Sequence, residues 1–250
     1  MNTPVNQISG QRSVAGSLFG PATFLFRRLS SARPVWLGLE TAAVALGTIA
    51  AVRILGVHCV SNVRWLAIAS VLIAGALIPT WLTRREFPSF AADVDHVRLA
   101  VRTVCRVCIY IFPAVFLGLW LLTSLHLPIP LRPVIMRQQS WLAWLCYQFL
   151  YVAVAEEVFF RGYIQANVTG LLGQVRRLSP AAQQRIAIVI SALCFAAAHV
   201  IVQGQITSAL VFLPGLVMAW LFVRTRSLLA PILFHGLANV SYGVMALLLM

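Results

Sequence analysis

The chain has 250 residues, of which 60% are hydrophobic and only 10% are charged. Soluble domains carry about 25% charged residues, so this composition excludes an ordinary soluble domain and indicates a membrane protein. The net charge of +13 comes entirely from Arg, which clusters between apolar runs. We assign these clusters to membrane topology and to contacts with anionic lipid headgroups, and we expect no nucleic-acid partner.

The chain divides into a polar N-terminal segment, residues 1–34, and an apolar remainder, residues 35–250. The segment is weakly amphipathic from Leu18 to Leu29 and is predicted to lie in the cytoplasm with a short helix on the membrane surface. Crossing a bilayer takes about 20 apolar residues. The remainder has seven such runs, about Val35–Val57, Val63–Leu82, a run ending near Leu125, Trp141–Tyr163, Ile186–Val202, Ile206–Val223 and Leu228–Leu249. The predicted fold class is therefore all-α, a polytopic membrane bundle of about seven transmembrane helices.

The distribution of Arg between the loops predicts the orientation of the bundle. Alternate loops carry most of the Arg residues, among them Arg84, Arg85, Arg176, Arg177 and Arg224. Because loops rich in basic residues stay in the cytoplasm, we expect the N-terminus inside and the C-terminus outside. The compact chain and the absence of Lys suggest a bacterial plasma (inner) membrane.

Two of the six acidic residues are adjacent in the fourth run, at Glu156 and Glu157. An ionisable side chain near hydrocarbon costs several kcal/mol by most estimates, so it indicates a functional site. Glu157 and Arg161 are four residues apart and can pair on one helix face. Glu156 is rotated by about 100° from Glu157 and has no partner in its own helix. Glu156 is therefore the carboxylate available for chemistry.

Two later runs carry polar pairs at the same spacing. Phe195 and His199 lie in the fifth run, and His235 and Asn239 lie in the seventh. The predicted topology places Glu156 and both histidines at compatible depths. A carboxylate, two imidazoles and an amide suffice for peptide hydrolysis, because one group takes a proton from water and others hold the oxyanion.

These residues form three motifs, Glu156-Glu157-x-x-x-Arg161, Phe195-x-x-x-His199 and His235-x-x-x-Asn239. The motifs resemble the signature of the CAAX protease and bacteriocin-processing (CPBP) family, also called the Abi family, which includes type II CAAX prenyl endopeptidases. The resemblance covers about residues 139–239, and the chain before residue 130 matches only as generic spans.

The resemblance implies an intramembrane endopeptidase of the glutamic type without a cofactor. Carried onto this sequence, Glu156 and His199 would activate water, and His235 and Asn239 would form the oxyanion hole. Glu157, Arg161 and Phe195 would support the site. We expect the cavity around these residues to open inward. That end of the bundle, where the loops carry Arg84, Arg176 and Arg224, is called here the Arg-rich end.

Two other functions stay open at this point. Glu156, His199 and His235 could hold a catalytic zinc ion, because two imidazoles and one carboxylate are a known ligand set. A membrane protein without catalysis, such as an immunity protein, a transporter or a scaffold, could keep the same fold. The predicted partner is a membrane-associated peptide or protein. A prenylated protein, a bacteriocin-like precursor and a C-terminal sorting tail all fit.

Overall fold

The computed structural model describes residues 34–59, 61–90, 93–127, 140–175 and 177–249. The predicted N-terminal surface helix lies outside the described residues. Seven helices follow one another, namely α1 (Pro34–His58), α2 (Ser61–Leu82), α3 (Val94–Ser124), α4 (Trp141–Leu172), α5 (Pro180–Gln203), α6 (Ile206–Thr225) and α7 (Leu229–Leu249).

All seven helices are long and apolar enough to cross a membrane, so the predicted fold class is confirmed. Two bounds differ from the apolar runs by more than two residues. Helix α4 continues past Tyr163 to Leu172, and α5 begins at Pro180 rather than near Ile186. The start of α5 follows local chemistry, because the Ser179 hydroxyl accepts a hydrogen bond from the Ala182 amide at 3.3 Å and a proline occupies the first helical position.

Helix α4 alternates between α and π geometry. Its π segments are Tyr147–Ala153 and Val158–Gln165, and they flank a single α turn, Val154–Glu157. The Val154 amide accordingly donates to the carbonyl of Phe149, five residues earlier. Short π segments inside α-helices occur often at functional sites. Here they bracket the turn that carries both adjacent glutamates.

Helix α4 lies at the centre of the bundle and contacts α1, α2, α5, α6 and α7, while α3 packs against α7. A small residue allows one of these contacts to be close. A Cβ at Gly236 would lie 2.4 Å from the ring of Phe149, so only glycine lets α7 approach α4 this closely. Gly236 directly follows His235, and the close approach therefore fixes that histidine beside α4.

Candidate active site

Three side chains from different helices converge in the middle of the bundle. The Oε2 atom of Glu156 lies 3.8 Å from Nε2 of His199 and 3.8 Å from Nε2 of His235. This oxygen is buried and has no hydrogen-bond partner among the described residues. The structure thus brings together one carboxylate and two imidazoles that the sequence placed on α4, α5 and α7.

The ring of His199 has a defined orientation. Its Nδ1 atom lies 2.9 Å from the carbonyl oxygen of Phe195. A carbonyl oxygen only accepts hydrogen bonds, so Nδ1 carries the proton and the neutral ring has its lone pair on Nε2. Nε2 faces Glu156, and this is the nitrogen that can accept a proton from a bound water.

The second glutamate supports the site from inside the protein. Glu157 Oε1 lies 2.9 Å from a guanidinium nitrogen of Arg161, and both side chains are fully buried. The same oxygen lies 2.7 Å from Nδ1 of His235. Glu157 therefore contacts both a charged partner and the imidazole of His235, whose Nε2 lies toward Glu156.

Phe195 packs against several groups of the site. The guanidinium of Arg161 lies 4.6 Å from the centre of its ring. The rings of His199 and His235 lie 4.4 Å and 5.9 Å away. Arg161 also donates to the carbonyl of Gly215 at 3.1 Å. This packing links the ion pair on α4 to both histidines and limits the positions that the imidazoles can adopt.

Asn239 lies one helical turn beyond His235, and its hydrogen-bond partner is Gln148 rather than Glu156 or a histidine. Its side-chain nitrogen donates to Oε1 of Gln148 at 3.0 Å. Gln148 was not singled out from the sequence, although a lone amide in the apolar run Trp141 to Ala155 was a signal of the kind that drew attention to Glu156. A polar side chain in a membrane helix commonly bonds a neighbouring helix, and this pair joins α4 to α7.

A cavity of about 220 Å³ lies beside Glu156 and His199. Its walls come from α1, α2, α4 and α5, and they include Ile49, Trp65, Tyr147, Tyr151 and Gln203. These residues lie toward the end of the bundle at which α1 and α5 finish, called here the Gln203 end. The cavity thus extends from Glu156 toward the Gln203 end, whereas its opening was predicted at the Arg-rich end. Apolar periodicity does not determine which end of a bundle is filled.

The described residues contain no group of three or more His, Cys, Asp or Glu side chains arranged to hold a metal ion. Two ligands of a tetrahedral zinc ion lie roughly 3.4 Å apart when each bond is about 2.0–2.1 Å long. The separations of 3.8 Å between Glu156 and the two histidines are longer. A zinc ion at this point would require the three groups to move closer together by a few tenths of an ångström.

Residues 138–241 match the family model described as type II CAAX prenyl endopeptidase Rce1-like. This segment is therefore similar to type II CAAX prenyl endopeptidases and is called here the Rce1-like segment. The match confirms the resemblance found in the motifs, and the Rce1-like segment contains Glu156, His199, His235 and Asn239. It supports a CAAX-type intramembrane protease in general, with a membrane-associated peptide or protein as substrate. No curated protein and no solved structure matches the chain significantly.

Proposed function

We propose that this protein is an intramembrane endopeptidase of the glutamic type, in which Glu156 and His199 activate water. The observation that carries the proposal is the convergence of Glu156 Oε2 with the Nε2 atoms of His199 and His235 beside a cavity. The general class of protease is supported by the Rce1-like match. The roles below are inferred from the geometry.

The gap between Glu156 and His199 suits one water molecule. A direct hydrogen bond is shorter than the 3.8 Å between Oε2 and Nε2. The carboxylate and the lone pair on Nε2 are both acceptors, so a water between them donates one proton to each. Its oxygen lone pair is then directed away from both groups, toward a substrate in the cavity.

Hydrolysis follows from this arrangement. The water oxygen attacks the carbonyl carbon of the scissile peptide, and one water proton passes to the Glu156–His199 pair as the new C–O bond forms. The carbonyl π electrons move to oxygen and produce an oxyanion. When the oxyanion collapses, the C–N bond breaks, and the proton held by the pair is delivered to the departing amine. A general base of this kind typically contributes about 10²–10⁴ in rate.

His235 and Asn239 are proposed to hold the oxyanion. Glu157 accepts from Nδ1 of His235, so a protonated His235 presents Nε2–H toward the centre of the site. Asn239 uses one of its two amide protons on Gln148 and keeps a second for the substrate. Such donors in a water-poor site stabilise developing charge more strongly than they would in bulk water.

A zinc protease is the second candidate, and one observation favours it. Two imidazole nitrogens and a carboxylate oxygen face one point, as in a catalytic site with three protein ligands. A shift of a few tenths of an ångström would bring them to zinc distances. The ion would polarise the scissile carbonyl and the bound water, in place of the Glu156–His199 pair.

Cleavage of a peptide library by the purified protein in detergent tests both candidates. We expect the wild type to cleave, E156Q to lose activity by about 10²–10⁴, and a chelator to leave the wild type unaffected. Loss of activity in chelator, restored by stoichiometric zinc, would favour the metal mechanism. Absence of cleavage by folded protein across soluble, prenylated and bacteriocin-like peptides would favour a function without catalysis.

We further propose that the protein resides in a bacterial plasma membrane with its N-terminus inside. Among the described residues, the loops at the Arg-rich end carry Arg84, Arg85, Arg177 and Arg224, whereas the Gln203 end carries Arg53 and Arg64. This asymmetry supports the orientation through the preference of basic loops for the cytoplasm.

A further inference from the structure

The first π segment of α4, Tyr147–Ala153, turns two tyrosines toward the cavity that Glu156 faces. In a regular α-helix each residue rotates by about 100°, so Tyr151 and Tyr147 would lie about 140° and 180° away from Glu156. Residues of a π segment rotate by less, because its hydrogen bonds span five residues. Both tyrosines accordingly line the same cavity as Glu156.

The other side of this π segment faces α7. A Cβ at Gly236 would lie 2.4 Å from the ring of Phe149. Gln148, the preceding residue, accepts the hydrogen bond from Asn239. One side of the segment therefore secures α7 beside the site, and the other side presents the two tyrosines to the cavity.

The indole of Trp65, on α2, packs against both tyrosine rings. Its ring centre lies 4.5 Å from that of Tyr151 and 6.0 Å from that of Tyr147, with interplanar angles of 85° and 89°. The tyrosine rings lie 6.4 Å apart and are inclined by 23°. Edge-to-face contacts of this kind are favourable and restrict the orientation of the rings. The tyrosine side chains are thus held in place before a substrate binds.

The phenol groups of these tyrosines differ from that of Tyr163, whose hydroxyl donates to Glu40 at 3.0 Å. The described residues give neither the Tyr147 hydroxyl nor the Tyr151 hydroxyl a hydrogen-bond partner, although both side chains are half-buried. Polar groups removed from bulk water are nearly always paired. Two such phenols on one cavity therefore indicate a ligand that has polar groups of its own.

The other walls of the cavity, among the described residues, are mostly apolar. Besides Glu156 and His199, the polar side chains that line it are those of the two tyrosines, Trp65 and Gln203. Gln203 already accepts a hydrogen bond from the Ser208 hydroxyl at 2.6 Å. A peptide in this cavity has to pair its amide groups, because burying them unpaired is costly. The tyrosine hydroxyls are the groups placed to pair with them.

We propose that the hydroxyls of Tyr147 and Tyr151 bind the substrate backbone beside the scissile bond. This role rests on the proposed function, which places cleavage in the cavity. A phenol both donates and accepts a hydrogen bond, so two phenols match the carbonyl and amide groups that alternate along an extended peptide. The tyrosines hold the scissile carbonyl beside the water between Glu156 and His199, and they exchange no proton with it.

The variants Y147F and Y151F test this role, because each removes one hydroxyl and keeps the ring beside Trp65. The matched control is Y110F, since Tyr110 is exposed on α3 and lies outside the cavity wall. Steady-state kinetics are measured on the peptide that the wild type cleaves fastest in the library. The Tm of each variant in detergent shows whether it is folded.

We expect KM to rise about 2- to 10-fold in Y147F and in Y151F, as for the loss of one hydrogen bond. The kcat should stay near the wild-type value, because a bond made equally in the ground state and the transition state affects only KM. Y110F should match the wild type in both constants. An unchanged KM in a folded variant would overturn the role of that tyrosine, as would a fall in kcat alone or an equal rise of KM in Y110F.

Binding without turnover gives an independent measurement. A fluorescent form of the same peptide is titrated into E156Q and into E156Q/Y151F, and its Kd should rise about 2- to 10-fold in the double variant. An equal Kd in the two proteins would overturn the role of Tyr151. If the wild type cleaves no peptide, the proposed function fails, whereas cleavage with an unchanged KM and Kd refutes only the role of the tyrosines.

Discussion

One oxygen of Glu157 binds two partners, Nδ1 of His235 at 2.7 Å and a guanidinium nitrogen of Arg161 at 2.9 Å. The two adjacent glutamates therefore have opposite environments. Glu157 is enclosed and paired, whereas Glu156 faces the cavity. In the proposed mechanism the ion pair positions the His235 imidazole and takes no part in bond cleavage, and this difference leads to distinct expectations for the two carboxylates.

Substitution of the two glutamates is expected to separate their roles. E156Q keeps the shape of the side chain and removes the base, so kcat should fall by about 10²–10⁴ while abundance and peptide binding persist. E157Q leaves Arg161 as an uncompensated buried charge, which typically costs about 3–5 kcal/mol. Its abundance and its Tm in detergent should fall together with activity.

The matched control for E157Q is the double variant E157Q/R161Q. It contains no uncompensated charge and should recover part of the lost stability without recovering activity, because His235 still lacks its carboxylate partner. The assignment is wrong if E156Q retains near-normal turnover while E157Q is well folded, normally abundant and inactive.

Substitutions of Asn239 and of its partner Gln148 are expected to lower kcat for peptide cleavage by different amounts. Removal of an oxyanion donor costs about 10²–10³ in kcat, which is the loss expected for N239A with little change in KM. Q148A removes only the group that orients the Asn239 amide, so its loss of kcat should be smaller. Near-normal kcat in folded N239A would exclude an oxyanion role for that amide.

The close contact between Gly162 and Phe87 is expected to make G162A destabilising. The added Cβ would lie 2.3 Å from the Phe87 ring, and overpacking of this kind typically costs about 1–3 kcal/mol. G47A is the control, because a Cβ there meets no atom within 4 Å. Its Tm should stay level or rise, since alanine favours helix over glycine by up to about 1 kcal/mol. Equal Tm shifts in both variants would contradict the contact.

The arrangement of the helices predicts the sides on which two reporters lie. Helices α5, α6 and α7 separate the turn at Gln174 from the C-terminus. Three crossings place these points on opposite sides of the membrane. A reporter inserted at Gln174 should read as cytoplasmic and one fused to the C-terminus as external. The same side for both would mean that one of these helices does not cross.

The sequence alone was sufficient for the class of fold and for one pairing in the site. Seven apolar runs predicted seven spans, because a bilayer excludes unpaired backbone groups and so requires helices about 20 residues long. The spacing of Glu157 and Arg161 predicted their ion pair, since residues four apart share a helix face. The motifs pointed to the same family as the model that matches residues 138–241, although no composition or periodicity contains that information.

Only the tertiary structure decided how the helices meet. Periodicity describes one helix at a time, so it could not predict that His235 binds Glu157, that Asn239 binds Gln148, or that π segments flank the turn of Glu156. It also could not predict which end of the bundle is filled. That depends on contacts between segments far apart in the chain, such as Phe87 with Gly162 and Arg85 with Glu40. These contacts fill the Arg-rich end, so the cavity lies toward Gln203.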